Sequence, residues 1–398
     1  MWQSFHDAWW RLATQSHPTS FRDAFACRVL QTGSAAYHAA VTLRNTAYDR
    51  HWARQVRLPC PVVSVGNLTV GGTGKTACVE LITRKLTALG KRVAILSRGY
   101  GGLRGEYWLR SSGQGLEVNG RVLDSDASTR PSGSLGTPPS SLPMGLRDLA
   151  DEPQMLASHL EGVPILVGAR RDRSGHRAVT EFGAEALILD DGFQHRRVMR
   201  DCDIVLVHAR MPLGGWALLP RGPMREPMAA LRRAHVVMVT KADEAFETVG
   251  ALTERLHAFN PDAALVTAMH EPVRVTDGIS GQSHGPKRLE GARVGLVSSI
   301  GDPEGFEATV QRLHAGVAWH RMFPDHHRYR PEDWDDICAQ VRQHAPEAIV
   351  TTEKDRVRLR PLVAGRPPEV PVWILGVAMR LVSGEEEFDA RLAGLYAR

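Results

Sequence analysis

The stretch Val63–Leu86, VSVGNLTVGGTGKTACVELITRKL, constrains the fold more than any other part of the chain. An apolar run ends at Gly66, and a turn carrying Gly71, Gly72 and Gly74 follows. Lys75-Thr76 then opens a segment with Val79, Ile82, Leu86 and Leu89 at helical spacing. Strand, glycine-rich turn and helix in that order aim unpaired backbone N–H groups and the helix dipole at a phosphate. The Lys75 ammonium reaches the outer phosphate oxygens, and the Thr76 hydroxyl is free for Mg²⁺. Thr69, Val70, Gly71, Gly72, Thr73, Gly74, Lys75 and Thr76 are therefore the expected cradle of a P-loop. One residue departs from the pattern G-x-x-x-x-G-K-[ST], because Thr69 stands where its first glycine belongs. Thr69 reshapes the turn, while Gly71 and Gly72 let the backbone approach the ligand closely.

Six short runs share the character of the segment before the loop: Pro61–Gly66, Arg92–Ser97, Val163–Gly168, Glu185–Asp191, Asp203–His208 and His235–Thr240. They are apolar throughout instead of alternating, as strands buried on both faces are. The expected fold is α/β and P-loop NTPase-like, a mostly parallel sheet flanked by helices. Ser111–Leu146, rich in Ser, Gly and Pro, reads as a flexible surface insertion. Strands resume at Ala292–Ser299, Glu347–Thr352 and Val370–Leu375 and mark a second, smaller α/β lobe. The expected organisation is a helical N-terminal region over 1–57, a kinase core over 58–275 with the insertion at 111–146, and the small lobe over 276–398.

A P-loop needs an acidic partner at the end of a neighbouring strand. Glu185–Asp191 supplies Asp190 and Asp191 at the carboxyl edge of the sheet, where the loop also lies. VTKAD (Val239–Asp243) resembles the guanine-reading N-K-x-D of GTPases, but Thr240 replaces the asparagine. A P-loop GTPase of metallochaperone or signalling type is thus the alternative reading. The five cysteines include no C-x-x-C pair, which argues against a disulfide scaffold or a zinc site and for a reducing compartment. A net charge of +5 suits an acidic partner without choosing one. The arginines are spread out and no stacking motif accompanies them, so no nucleic-acid partner is expected.

At the N-terminus, Trp2, Phe5, Trp9 and Leu12 recur at helical spacing, and Phe21, Phe25, Val29, Ala36, Tyr37, Ala40 and Val41 continue an apolar stripe. Seven arginines and no lysine fall between Met1 and Arg57. An aromatic face flanked by arginines fits a helix lying in the plane of a membrane surface, and equally an amphipathic helix packed on its own domain.

Seven phrases, in order, closely resemble the tetraacyldisaccharide 4'-kinase family: GNLTVGGTGKT (Gly66–Thr76), SRGYGG (Ser97–Gly102), DEP (Asp151–Pro153), DDGFQHRR (Asp190–Arg197), LLPRGPMREP (Leu218–Pro227), FPDHH (Phe323–His327) and TEKD (Thr352–Asp355). The family's loop has the same displaced glycine. The resemblance implies ATP and Mg²⁺ as cofactors and an acylated glucosamine disaccharide 1-phosphate, the lipid A precursor, as the substrate phosphorylated at its 4'-hydroxyl. It implies a peripheral protein on the cytoplasmic face of the inner membrane of a Gram-negative bacterium, with inner-membrane surface lipids touching the N-terminal amphipathic helix. Asp151 matches the family's proposed base, and His326 its orienting partner from the second lobe; His327 is the neighbouring alternative. Lys75 is the expected catalytic cation. Thr76, Asp190, Asp191 and Glu152 are the expected metal ligands, and Arg98 and Glu226 are further metal or phosphate contacts by motif. Ala150 stands where a glycine usually precedes Asp-Glu-Pro, and the Ser111–Leu146 insertion is longer than the family pattern suggests.

Overall fold

Aliphatic runs without polar alternation can be buried on both faces only inside a covered, mostly parallel sheet, and that is where these runs lie. The computed structural model describes residues 21–99, 105–113, 115–123, 149–210, 217–244 and 246–397. Along the chain come α1 (Phe21–Asp49), β1 (Val62–Asn67), α2 (Lys75–Ala88), β2 (Val93–Ser97), β3 (Tyr107–Ser112), β4 (Gly115–Val118), β5 (Arg121–Leu123), α3 (Asp151–His159), β6 (Ile165–Val167), α4 (Arg171–Phe182) and β7 (Ala186–Asp190). They are followed by β8 (Cys202–His208), β9 (Val236–Thr240), α5 (Phe246–Phe259), β10 (Ala264–Asp277), β11 (Ser283–His284), β12 (Arg293–Ser298), α6 (Pro303–Arg312) and β13 (Gly316–Met322). The chain closes with α7 (Pro331–His344), β14 (Ala348–Thr352), α8 (Glu353–Gly365), β15 (Val372–Ser383) and α9 (Glu385–Gly394).

The described residues within 1–93, 175–270 and 379–398 form one compact unit, and those within 94–174 and 271–378 the other. The units are discontinuous, whereas the sequence reading cuts the chain into consecutive segments. Two boundaries fall inside β10 and β15, where no shift in composition marks them.

In the first unit β7, β1, β8, β9 and the start of β10 lie side by side, all parallel. Val65 of β1 pairs with Asp190 on one side and Ile204 on the other, so the loop after β1 and the acidic end of β7 emerge together. Leu68, Phe193, Val207, Met224, Leu231 and Leu256 form the core beneath that edge. α1 is two-faced. Val41 is buried and Tyr37 packs against this core, while Ser34 and Tyr37 donate to the carbonyls of Leu218 and Arg225. Phe25, Val29, Ala36, Ala40 and Leu43 line the other side, exposed. The stripe expected from sequence thus divides between an inner and an outer face, and Trp2, Phe5, Trp9 and Leu12 lie outside the described residues.

In the second unit β6 runs parallel to β2, and β3, β4 and β5 follow as an antiparallel meander. A flexible insertion beginning at Ser111 is therefore corrected: Ser111 and Ser112 close β3, Gly115–Val118 is β4 and Arg121–Leu123 is β5. Asn119-Gly120 between alternating residues is a hairpin signal that the Ser/Gly-rich composition obscured. Residues 124–148 lie outside the described residues. Of the remaining strands, β13, β12, β14 and β15 are parallel in that order, and β11 pairs antiparallel with the end of β10. Trp334 and Ile337 of α7 and Leu359 of α8 pack on Val297 and Ile349 beneath them.

Candidate functional site

The phosphate loop of the first unit explains its own missing glycine. Thr69 forms an antiparallel bridge with Met224, the Val70 N–H donates to the Pro223 carbonyl at 2.8 Å, and the Arg225 N–H donates to the Leu68 carbonyl at 2.6 Å. This extended backbone suits threonine. The left-handed positions fall later, on Gly71 (φ 112°) and Gly74 (φ 82°). Gly74 is doubly required, because a Cβ there would lie 2.6 Å from Nε2 of His270. The loop is also braced from below. Asn67 Nδ2 donates to the Thr73 hydroxyl at 3.0 Å, and the fully buried Thr240 hydroxyl donates to the Thr73 carbonyl at 2.9 Å. Thr240, the residue that departs from the guanine-reading pattern, is thus a strut of the phosphate loop.

Lys75 and Thr76 form the first turn of α2, where backbone N–H groups have no partner within the helix. The Lys75 ammonium stands 3.6 Å from Asp191 Oδ1, and Arg225 Nη1 donates to both Asp191 oxygens at 2.9 Å. Asp191 is held in the left-handed region (φ 50°), and Asp190 is buried at the end of β7. Thr76, Asp190 and Asp191 offer hard oxygen ligands. Among the described residues no group of three or more His, Cys, Asp or Glu side chains could hold a metal ion. That donor set fits Mg²⁺, which takes one or two carboxylates and completes its shell with phosphate oxygens and water.

The second unit carries a separate charged cluster. Asp151 begins α3, whose preceding Ala150 N–H donates to the Tyr107 hydroxyl at 3.1 Å. α8 contributes Lys354, Asp355 and Arg358. Asp355 is fully buried and accepts from Ser299 N at 3.0 Å, the Ser299 hydroxyl, the Thr352 hydroxyl at 2.8 Å and the Tyr329 hydroxyl at 3.1 Å. Arg358 Nε donates to Asp151 Oδ2 at 2.6 Å, and its Nη1 donates to the Ser299 hydroxyl at 2.6 Å. His326, at φ 61°, places Nδ1 at 4.0 Å from the same Asp151 oxygen and 3.5 Å from Arg358 Nη2. Lys354 lies 3.6 Å from Glu152, 3.1 Å from Asp325 and 3.2 Å from His326 Nε2.

Burial works to raise the Asp151 carboxyl, but His326 and the Arg358 guanidinium outweigh it and hold the group below the usual carboxylate range. Burial, with Asp355 next to it, pushes the Tyr329 hydroxyl far up, so it stays a donor.

The expected residues sort clearly. Asp151 and His326 come together in one unit. His327 is committed elsewhere, bonded to Asp333 at 2.8 Å and stacked on Phe323 with ring centroids 4.7 Å apart. Lys75, Thr76, Asp190 and Asp191 share the first unit, whereas Glu152 belongs to the second and pairs with Lys354. Glu226 is fully buried, and its oxygens accept from Arg44, Asn45 and Arg233, which ties α1 down. Arg98 is exposed at the end of β2. Sequence reasoning missed Arg225, Ser299 and Arg358. The spacing Thr352-x-x-Asp355-x-x-Arg358 on a helix was the available signal for the last of them.

The model of the tetraacyldisaccharide-1-P 4'-kinase family matches residues 26–120 and 139–397. A tetraacyldisaccharide 4'-kinase of Anaeromyxobacter sp. (strain Fw109-5) is 37% identical over 390 residues, which is 98% of this chain and 96% of that protein. Another, of Syntrophus aciditrophicus (strain SB), is 37% identical over 386 residues, 95% of each. Among solved structures, "apo" form LpxK from Aquifex aeolicus in complex with ATP aligns with a TM-score of 0.67 at 25% identity, covering 93% of this chain and 99% of that one.

Proposed function

This chain belongs to the tetraacyldisaccharide-1-P 4'-kinase family, and from that membership we propose that it transfers the γ-phosphoryl group of ATP to the 4'-hydroxyl of a tetraacylated glucosamine disaccharide 1-phosphate. The observation that carries the reading is the opening of α2. The backbone amides after Gly74 and the Lys75 ammonium form a phosphate cradle, with Asp191 and Arg225 beside them. Arg225 and Lys75 bring positive charge to the transferring group, where the protein's main contribution is positioning and charge neutralisation. Thr76, Asp190 and Asp191 would hold Mg²⁺, which when bound neutralises phosphate charge. The sugar oxygen forms its bond to the γ-phosphorus as the bond to the bridging oxygen breaks, and ADP departs with that electron pair. Asp151 takes the hydroxyl proton.

The substrate is a lipid, and α1 supports docking at the membrane surface. Phe25, Val29 and Leu43 are 68%, 56% and 66% exposed on its outer side, with Arg28 and Arg44 exposed on the same helix. No helix among the described residues is long and apolar enough to cross a membrane, so contact by α1 is in-plane. The inner-membrane surface, on its cytoplasmic side, is the location that goes with this reading.

A coupled assay of ADP release tests the proposal. Release should depend on the acylated disaccharide 1-phosphate, prefer ATP to GTP and vanish in Lys75→Ala. Equal use of GTP, or lipid-independent release at the same rate, would favour the GTPase reading instead.

A further inference from the structure

We propose that Arg358 is the positioning residue of the proton-accepting carboxylate: its guanidinium fixes Asp151 through Oδ2 and leaves Oδ1 to take the proton of the sugar hydroxyl. The inference rests on the reading of Asp151 as the base. It departs from the sequence expectation that a histidine orients that carboxylate. Arg358 Nε is 2.6 Å from Asp151 Oδ2, whereas His326 Nδ1 is 4.0 Å from it, beyond hydrogen-bond reach. Among the described residues Oδ1 has no hydrogen-bond partner.

The guanidinium is itself immobilised. Its side chain is only 6% exposed, its Nη1 donates to the Ser299 hydroxyl at 2.6 Å, and Asp355 Oδ1 lies 3.6 Å from the same nitrogen. Asp355 in turn is fixed by Ser299, Thr352 and Tyr329. The remaining arm, Nη2, is 3.5 Å from His326 Nδ1, so one planar group spans Asp151, Ser299 and His326. Lysine offers a point charge with rotatable donors on a flexible stem and lacks the rigid planar fork. Lys354 is engaged nearby with Glu152 and Asp325, so it does not substitute for the fork. As the hydroxyl O–H bond breaks and the O–P bond forms, the proton passes to Oδ1, while Arg358 keeps the carboxylate from swinging away.

The test is steady-state kinetics of the full chain with ATP and an acylated disaccharide 1-phosphate. Arg358→Met should lower kcat by about 10²-fold, the scale of an ångström-sized misplacement, and leave the KM for ATP unchanged. Arg358→Lys, which keeps the charge and loses the fork, should recover about tenfold of that loss. In an Asp151→Asn background, Arg358→Met should cost less than about threefold more, because residues acting as a unit are non-additive. This last comparison reads the coupling even where the single variant loosens α8. If Asp151→Asn is inactive and Arg358→Met keeps near-normal kcat, or the two losses multiply, the positioning role is overturned. If Asp151→Asn is itself active, the base reading fails first, and the two failures are told apart.

Discussion

At the scale of single residues, the chemistry depends on where charges are held. In the proposed reading Asp151 accepts a proton and must be ionised to do so, and its neighbours favour that form. The sign follows directly. A carboxyl depressed in the folded protein stays charged as the pH falls through the ordinary aspartate range, so the acid limb of kcat/KM lies below that range. The same shift makes Asp151 a contributor to stability above its unfolded value, a contribution lost as the pH falls through the folded one. His326→Ala removes one of the two positive neighbours that lower the carboxyl and should move the acid limb to higher pH. A limb that stays put in a pH–rate profile would mean that another group titrates. Asp151→Asn should lower kcat by about 10²–10⁴-fold while ATP binding survives in a nucleotide titration. The places of these residues in the fold were unevenly legible. Lys75, Thr76, Asp190 and Asp191 could be read because each sits at the end of a recognisable strand or the start of a helix. Helical spacing places Arg358 beside Asp355, but it is 207 residues from Asp151, and no spacing announces that pairing.

At the scale of elements, the strand–loop–helix unit is kept in shape by neighbours as much as by its own glycines. Thr240 at the end of β9 braces the Thr73 carbonyl from a fully buried position. Thr240→Val keeps the volume and loses the bond, leaving a buried carbonyl short of a donor at about 1–3 kcal/mol. The expected result is weaker ATP binding by calorimetry with the KM for the lipid little changed. Unaltered ATP affinity would show the strut to be dispensable. For α1, replacing Phe25, Val29 and Leu43 together by serine should weaken binding to anionic vesicles and raise the KM for the lipid, with the KM for ATP unmoved. The inner residues Tyr37 and Val41 should instead affect stability, and a vesicle-sedimentation assay that fails to separate the two faces would count against docking. The central strands were readable to within a residue or two because parallel strands are apolar on both faces. β13 and the later half of β10 carry polar and half-exposed residues, and β3 to β5 pair antiparallel beside a Ser/Gly-rich segment. Neither gave the continuous apolar run on which the reading relied.

At the scale of the whole molecule, the proposed function assigns each compact unit its own part of the chemistry. The first holds a phosphate cradle with Lys75, Arg225 and two carboxylates, and the second holds Asp151 with Arg358 and His326. A phosphotransferase acting on a sugar hydroxyl needs both a donor grip and a proton acceptor. The central claim is that these groups serve one transfer, from ATP to the unphosphorylated sugar of the disaccharide. The most direct measurement is transfer of ³²P from γ-labelled ATP to a purified acylated disaccharide 1-phosphate, followed by analysis of which sugar carries the label. The account predicts a labelled product bearing phosphate on both sugars with the wild-type chain, and none with Lys75→Ala or Asp151→Asn. Label that appears only as inorganic phosphate, or that enters the lipid anywhere other than the 4'-position, would contradict it.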